Sequence, residues 1–466
     1  MRRVFFLTVL GLAIPHLPAA AQDIPLEACE ISGVQGGAQC AVYNVYENRR
    51  TREGRRIGLN VVLLPATGPN VRPDPLMLLV GGPGQSATRS AAIFNALLAP
   101  LRRDRDLVLL DQRGTGGSSA LQCRWGDTPP AVAAVVLSFN FSPAAVARCR
   151  ENLEADPALY TTDLAVDDLD DVRAALGYEQ VNLLGFSYGT RVALEYLRRF
   201  STRTRSAILV SAMPPEMIFP LSMPRSLQHS LGILASECQA QAICQGMDGG
   251  LVAEVGRLMA RLDAEPVTLQ IPVPGTSDSV PFTIDRGVAA GTIGFALFRP
   301  ETWPGIPTSV ARAVAGDYAP LTAQALALGG FLAQDLYWGM FLAVVCADDV
   351  PLINDAAITR ETAGTFFGGD FLHSLRNACA SWPTGTATSD LRTPVAVNVP
   401  VLLISGEWDP ATPPKGAQRI AATLSNTKHI VMPRAGHTPI NACSVGIIAA
   451  FLADRSTGGA LDVSCA

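Results

Sequence analysis

Short apolar runs recur along the chain, at PLMLLV (75–80), DLVLL (106–110), VNLL (181–184), AILV (207–210), PVLLIS (400–405) and HIVM (429–432), and alternate with segments of helical periodicity. Strands buried on both faces lose the in-and-out alternation of a half-exposed sheet. This rhythm therefore predicts an α/β fold, a mostly parallel sheet with helices on both sides. CAVYNVY and IGLNVVLL do alternate, and the basic run RRTREGRR (49–56) between them reads as the solvated loop of an antiparallel hairpin at one sheet edge. In 162–177, Leu164, Val166, Leu169, Val172 and Leu176 form one apolar helix face, with Thr162 as the expected N-cap, Asp163 in the first turn and Gly177 just past the end. Between Ser211 and about Val395 strands thin out, and 224–241, 248–265 and 319–345 read as helices; the sheet pattern resumes at Val399. The expected organisation is a core over 22–212 and 396–466, interrupted by a mainly helical cap at 213–395.

The N-terminus has its own logic. Arg2 and Arg3, a short apolar run and Ala19-Ala20-Ala21 have the layout of a cleaved secretory signal spanning 1–21, and the run is too short and too broken by Pro15, His16 and Pro18 for a membrane anchor. A periplasmic or extracellular location is expected, with no membrane association after cleavage. The 36 basic and 41 acidic residues give a net charge of −5, or −7 once Arg2 and Arg3 leave, which argues against nucleic acid as a partner. All ten cysteines lie beyond the leader, and an even number in an exported chain points to disulfides. Pairing sequential neighbours would close five modest loops, although spacing alone does not fix connectivity. With no C-x-x-C and no histidine pair at ligand spacing, no metal is expected.

VNLL leads directly into Gly185-Phe186-Ser187-Tyr188-Gly189, after which Val192, Tyr196, Leu197 and Phe200 recur at helical spacing. Serine contributes little to packing, but glycines on both sides permit the tight, strained strand-to-helix turn that lifts a hydroxyl above a sheet. The pentapeptide by itself recurs by chance in glycine-rich chains; its strand and helix flanks give it weight. A serine nucleophile needs a base and a group to orient that base. His16 belongs to the leader, His229 and His373 to the cap, and His429 to the strand-like KHIVMP, which leaves His437, in the glycine-flanked loop PRAGHTP, as the base. SGEWDPATPP (405–414) offers Asp409 and Glu407. Asp409 is preferred because it stands farther beyond the strand end. The oxyanion of an acyl-transfer intermediate needs N–H donors, and the expected pair is Tyr188 with a glycine of GGPG (81–84); Pro83 has no N–H, so Gly82 is chosen ahead of Gly84. These glycines lack the Lys-Ser/Thr ending of a phosphate loop.

GGPG (81–84), DQRGTGGSS (111–119), GFSYGTR (185–191), SGEWDPATPP (405–414) and AGHTP (435–439) together resemble the proline iminopeptidase and tripeptidyl aminopeptidase branch of the α/β-hydrolases. VVCADDVP (344–351) and CASWP (379–383) are similar to the C-terminal segment of tripeptidyl aminopeptidases. The resemblance implies Ser187 as nucleophile, Asp409 and His437 as its partners, Gly82 and Tyr188 as oxyanion donors, and Arg113 as a brace for neighbouring loops. It departs at Val80, where relatives carry histidine, and at VSAMPPE (210–216), where they tend to carry Asp-Gly. The implied activity is that of a secreted serine peptidase removing residues from peptides with a free N-terminus, without a cofactor. An acidic residue would then meet the ammonium, with Glu216, Asp348 and Asp349 as candidates. The same centre under another cap would make a carboxylesterase or lipase, which the apolar cluster of Tyr337, Trp338, Met340 and Phe341 also suits, although core packing is the default role of such a cluster. A catalytically silent binding fold is the third reading; its usual mark is a missing triad member, and none is missing.

Overall fold

The structure is a computed structural model that describes residues 24–273, 275–386, 390–454 and 461–466; the expected leader at 1–21 lies outside the described residues. Its strands are β1 (Glu27–Cys29), β2 (Ala38–Asn48), β3 (Glu53–Leu64), β4 (Leu76–Leu79), β5 (Leu107–Leu110), β6 (Val181–Phe186), β7 (Thr204–Val210), β8 (Val267–Pro272), β9 (Ser279–Ile284), β10 (Val401–Gly406) and β11 (Thr427–Met432). Nine of them form one sheet in the order β1-β2-β3-β5-β4-β6-β7-β10-β11, antiparallel from β1 through β5 and parallel from β5 to β11.

The continuous apolar runs are explained by two cores, one on each face. Val181, Leu183, Val401 and Leu403 point to one, and Leu184, Phe186, Leu402 and Ile404 to the other. Helices Thr162–Ala175, Tyr188–Phe200 and Pro414–Ala421 cover the first face, and Ala91–Leu97 and Ala442–Asp454 the second. Each fully buried Val, Leu, Ile or Phe contributes about 1.5–3 kcal/mol, which is why the sheet tolerates no polar alternation here. The hairpin loop differs in part from a simply solvated run: Arg49 reaches across to Asp168 (2.7 Å) and Asp171.

The helices between β7 and β10 enclose a third core, and that core is not confined to 213–395. Helices Pro129–Ser138 and Pro143–Glu151 leave the sheet early, and their Val136, Leu137 and Val146, with Phe139 and Phe141 between them, pack into it. Contact is close enough that a Cβ on Gly329 would stand 2.5 Å from the Cβ of Ala133, which explains a glycine inside helix Ala319–Asp335. The hairpin β8–β9 was not foreseen, and 319–345 is broken into Ala319–Asp335 and Trp338–Asp348. All five disulfides join sequential neighbours: Cys29–Cys40, Cys123–Cys149, Cys238–Cys244, Cys346–Cys379 and Cys443–Cys465. Among the described residues, no single helix is long and apolar enough to cross a membrane.

Candidate active site

Within residues 181–197 every position is buried except Ser187, which is half-buried. Its backbone lies at φ +54° and ψ −121°, a conformation that strains any residue with a Cβ. Ser187 N–H donates to the Val210 carbonyl at the end of β7 (3.0 Å), and the Ser187 carbonyl accepts the N–H of Thr190 (2.9 Å) and its hydroxyl. The flanking glycines are required by close approach: a Cβ on Gly185 would stand 2.7 Å from the Gly189 carbonyl oxygen, and one on Gly189 would stand 2.0 Å from the Leu79 carbonyl oxygen. A strand, a helix and a neighbouring strand end therefore converge behind the serine and turn its side chain away from the core.

The acid and the histidine are joined. His437 Nδ1 lies 2.9 Å from both oxygens of Asp409. Asp409 Oδ1 also accepts the N–H groups of Ala411 (2.8 Å) and Thr412 (2.9 Å), and Oδ2 accepts the Thr412 hydroxyl (2.9 Å). Burial by itself would raise the Asp409 pKa, but the charge and hydrogen bond of His437 and the Thr412 N–H outweigh it and hold the carboxyl down at about 2. Glu407, the alternative, is exposed and accepts the N–H of Arg434 instead. The histidine loop is held from both sides, by His437 N–H to the Phe298 carbonyl (2.8 Å) and by Thr438 N–H to Ser211 Oγ (2.8 Å). Ser211 directly follows Val210, the residue that anchors Ser187. The Ser187 turn and the histidine loop are thus fastened to the same strand end.

The backbone N–H groups of Gly82 and Tyr188, the expected donors, have no protein acceptor among the described residues. Tyr188 opens its helix, where a backbone N–H has no acceptor within the helix. Gly81 lies against the serine: a Cβ on it would stand 3.1 Å from Ser187 Cβ. The DQRG turn supports this loop from below. Asp111 accepts Ser86 Oγ (2.6 Å) and Thr88 N–H (3.0 Å) on one oxygen, and Thr88 Oγ1 (2.6 Å), Asn60 Nδ2 (3.0 Å) and Gly117 N–H (2.9 Å) on the other. Arg113 grips Asp168 through two nitrogens, at 2.6 and 2.8 Å, and donates to the carbonyls of Glu47 and Leu159. It is a fully buried brace between the DQRG turn, helix Thr162–Ala175 and two backbone carbonyls.

Each of the three carboxylates offered as candidates to meet an ammonium has another partner in the fold. Glu216 pairs with Arg419 in the last turn of helix Pro414–Ala421, on the outer surface. Asp349 is 1% exposed and accepts Arg191 (2.7 Å), Arg392 (2.7 Å) and the Phe219 N–H (2.8 Å). Asp348 is also buried, bonded through Oδ2 to Thr162 Oγ1 (2.7 Å), with Oδ1 unpartnered. Burial and the adjacent Asp349 push Asp348 up to about 7 against the pull of Arg191. Thr162 is not the helix cap, which falls on Thr161; its hydroxyl instead links Asp348 to Tyr188 Oη (2.8 Å). A cap threonine and a network threonine look alike in one dimension.

A doubly covered sheet, a strained serine at the end of β6 and an acid-held histidine whose loop is tied to the end of the adjacent β7 define a serine hydrolase, and the chain belongs to the α/β-hydrolase family. Residues 74–231 match the alpha/beta hydrolase fold, and 364–465 match the TAP-like protein family. The chain is 30% identical over 419 residues to Carboxylesterase B of Mycobacterium tuberculosis, covering 83% of this chain and 78% of that one. It is 26% identical to the serine protease Hip1 of the same organism (89% and 86%), and 24% identical to the tripeptidyl aminopeptidase of Streptomyces coelicolor (98% and 88%).

Proposed function

We propose that the protein is an exported aminopeptidase that releases N-terminal residues or short peptides through an acyl-enzyme on Ser187. Ser187 Oγ attacks the scissile carbonyl while His437 Nε2 takes its proton and returns it to the leaving amine; Asp409 stays ionised, fixes the tautomer and stabilises the imidazolium. The N–H groups of Gly82 and Tyr188 meet the oxyanion, the second reinforced by the positive end of its helix, and each such donor accounts for about 10²–10³ in rate. The observation that carries the reading is the constrained serine turn sharing a strand end with the Asp409–His437 pair. Likeness to a tripeptidyl aminopeptidase over 98% of the chain supports peptides as the substrate class. Five disulfides support an oxidising compartment.

Mass spectrometry of a peptide library, free and N-acetylated, tests the proposal. Stepwise loss from the N-terminus of free peptides alone is expected; internal cleavage or equal turnover of acetylated peptides refutes it. Carboxylesterase activity is the second reading, favoured by the 30% identity to Carboxylesterase B; the apolar residues Trp338, Met340 and Phe341 are buried in the cores and lend it nothing. Aminoacyl naphthylamide turnover against that of a short nitrophenyl ester separates the two.

A further inference from the structure

The loop that offers Gly82 is held by more than the core. Gly81 N–H donates to Gln85 Oε1 (2.9 Å), and the Gly81 carbonyl accepts the Gln85 N–H (3.2 Å). Within a trans peptide unit the carbonyl and the N–H point in opposite directions, and the Gly81–Gly82 unit is trans. Fixing the Gly81 carbonyl on Gln85 therefore aims the Gly82 N–H the other way. Gln85 clamps Gly81 twice, with its side chain on the N–H and its backbone on the carbonyl.

Gln85 is in turn gripped from the cap. Its Nε2 donates to Asp335 Oδ2, its backbone bridges to Leu336 as a short antiparallel pair, and Tyr337 N–H donates to the Gly84 carbonyl (2.8 Å). This pairing is where the predicted helix 319–345 breaks. Asp335 is the last residue of its helix, at the negative end of the helix dipole, where a carboxylate is disfavoured. Helix stability does not account for a carboxylate there; its bond to Gln85 does.

We propose that Gln85 and Asp335 are positioning residues for the oxyanion hole: Asp335, carried by the cap, orients the Gln85 amide, and that amide, by holding the Gly81 N–H, keeps the Gly81 carbonyl on the Gln85 backbone N–H and so keeps the tilt of the Gly81–Gly82 peptide. The proposal rests on Ser187 as nucleophile and Gly82 as donor, and is independent of whether the substrate is a peptide or an ester.

Kinetics on 4-nitrophenyl acetate and on an aminoacyl naphthylamide, with thermal melting, test it in Gln85→Ala, Gln85→Glu, Asp335→Asn and the double variant Gln85→Glu/Asp335→Asn. Gln85→Ala and Gln85→Glu are expected to lower kcat about 10–100-fold on both substrates, with KM within about twofold, because every acyl substrate uses the same oxyanion donors. Asp335→Asn keeps a carbonyl acceptor for the Gln85 amide and is expected to stay within about threefold. The double variant is expected to recover most of the Gln85→Glu loss, since the new carboxylate at 85 can still accept Gly81 N–H and can now also accept the new amide at 335. A loss confined to the naphthylamide overturns the proposal, because the pair would then serve the substrate amine. So does unchanged kcat in Gln85→Ala, or a double variant that melts like wild type yet is no more active than Gln85→Glu. If Gln85→Ala does not fold, the contrast between Gln85→Glu and the double variant decides. Ester turnover that survives Ser187→Ala would sink the nucleophile itself, a separate failure.

Discussion

Replacing Asp409 by asparagine bears most directly on the chemistry, because both oxygens of this carboxylate meet His437 but only one of them also accepts backbone N–H groups. Oδ1 accepts the Ala411 and Thr412 N–H groups, so the amide oxygen of an asparagine is held there and its NH2 takes the place of Oδ2. That NH2 meets His437 Nδ1 where Oδ2 did, and since the amide oxygen already accepts two backbone N–H groups the favoured tautomer has Nδ1 accepting and the ring proton on Nε2. The base is blocked although every heavy atom can stay in place. The expected result is a kcat about 10³–10⁴ lower on ester and peptide alike, with KM little changed. Stability supplies a second readout. The fall of the Asp409 pKa from 3.8 to about 2 corresponds to roughly 2 kcal/mol. Because the folded value is the depressed one, this contribution is present in full above the unfolded pKa and is lost as pH falls from about 5 toward 2. Urea unfolding at a series of pH values should show wild type losing about 2 kcal/mol more than Asp409→Asn across that window. A variant keeping more than a tenth of kcat, or two parallel stability profiles, would refute the reasoning.

Ser187→Gly and Ser187→Ala should both abolish labelling by a fluorophosphonate probe, and the glycine variant should be the more stable by about 1 kcal/mol in denaturant titrations, since alanine must keep the positive φ that glycine adopts freely. Asp349→Ala should destabilise the fold by about 3–5 kcal/mol, because it strips the buried partner of Arg191; a normal melting temperature with raised KM for free-amine peptides would instead restore a substrate role. Removing Cys346–Cys379, which closes a 33-residue separation between two cap helices, should cost about 3–4 kcal/mol and lower the thermal midpoint without changing kcat at 25 °C.

The parallel strands, the serine turn and the loop acid and histidine were readable because each is dictated by near neighbours in the chain. Burial on two faces forces the unbroken apolar runs of β6 and β10, and a strand-to-helix turn at positive φ forces small residues at 185 and 189. Preference for Asp409 over Glu407 also came from local reach past the strand end, and the structure puts Asp409 on His437 and Glu407 on an exposed backbone N–H. The cap boundary was not readable at 213, because PPAVAAVVLSFNF is apolar whether it packs on the sheet or under the cap.

What a carboxylate does depends on which cation or hydroxyl reaches it, and those partners come from anywhere in the chain. Asp349 looked available until Arg191 and Arg392 were folded against it, Asp348 until Thr162 was, and Gln85 showed no use until Asp335, 250 residues away, closed on its amide. Backbone conformation and burial are short-range demands that leave a periodic trace in the amino acids. Charge compensation and the aim of an amide hydrogen are settled only when distant segments meet, so the sequence alone determined the sheet and the strained serine turn, while tertiary structure decided which polar groups were left free to act.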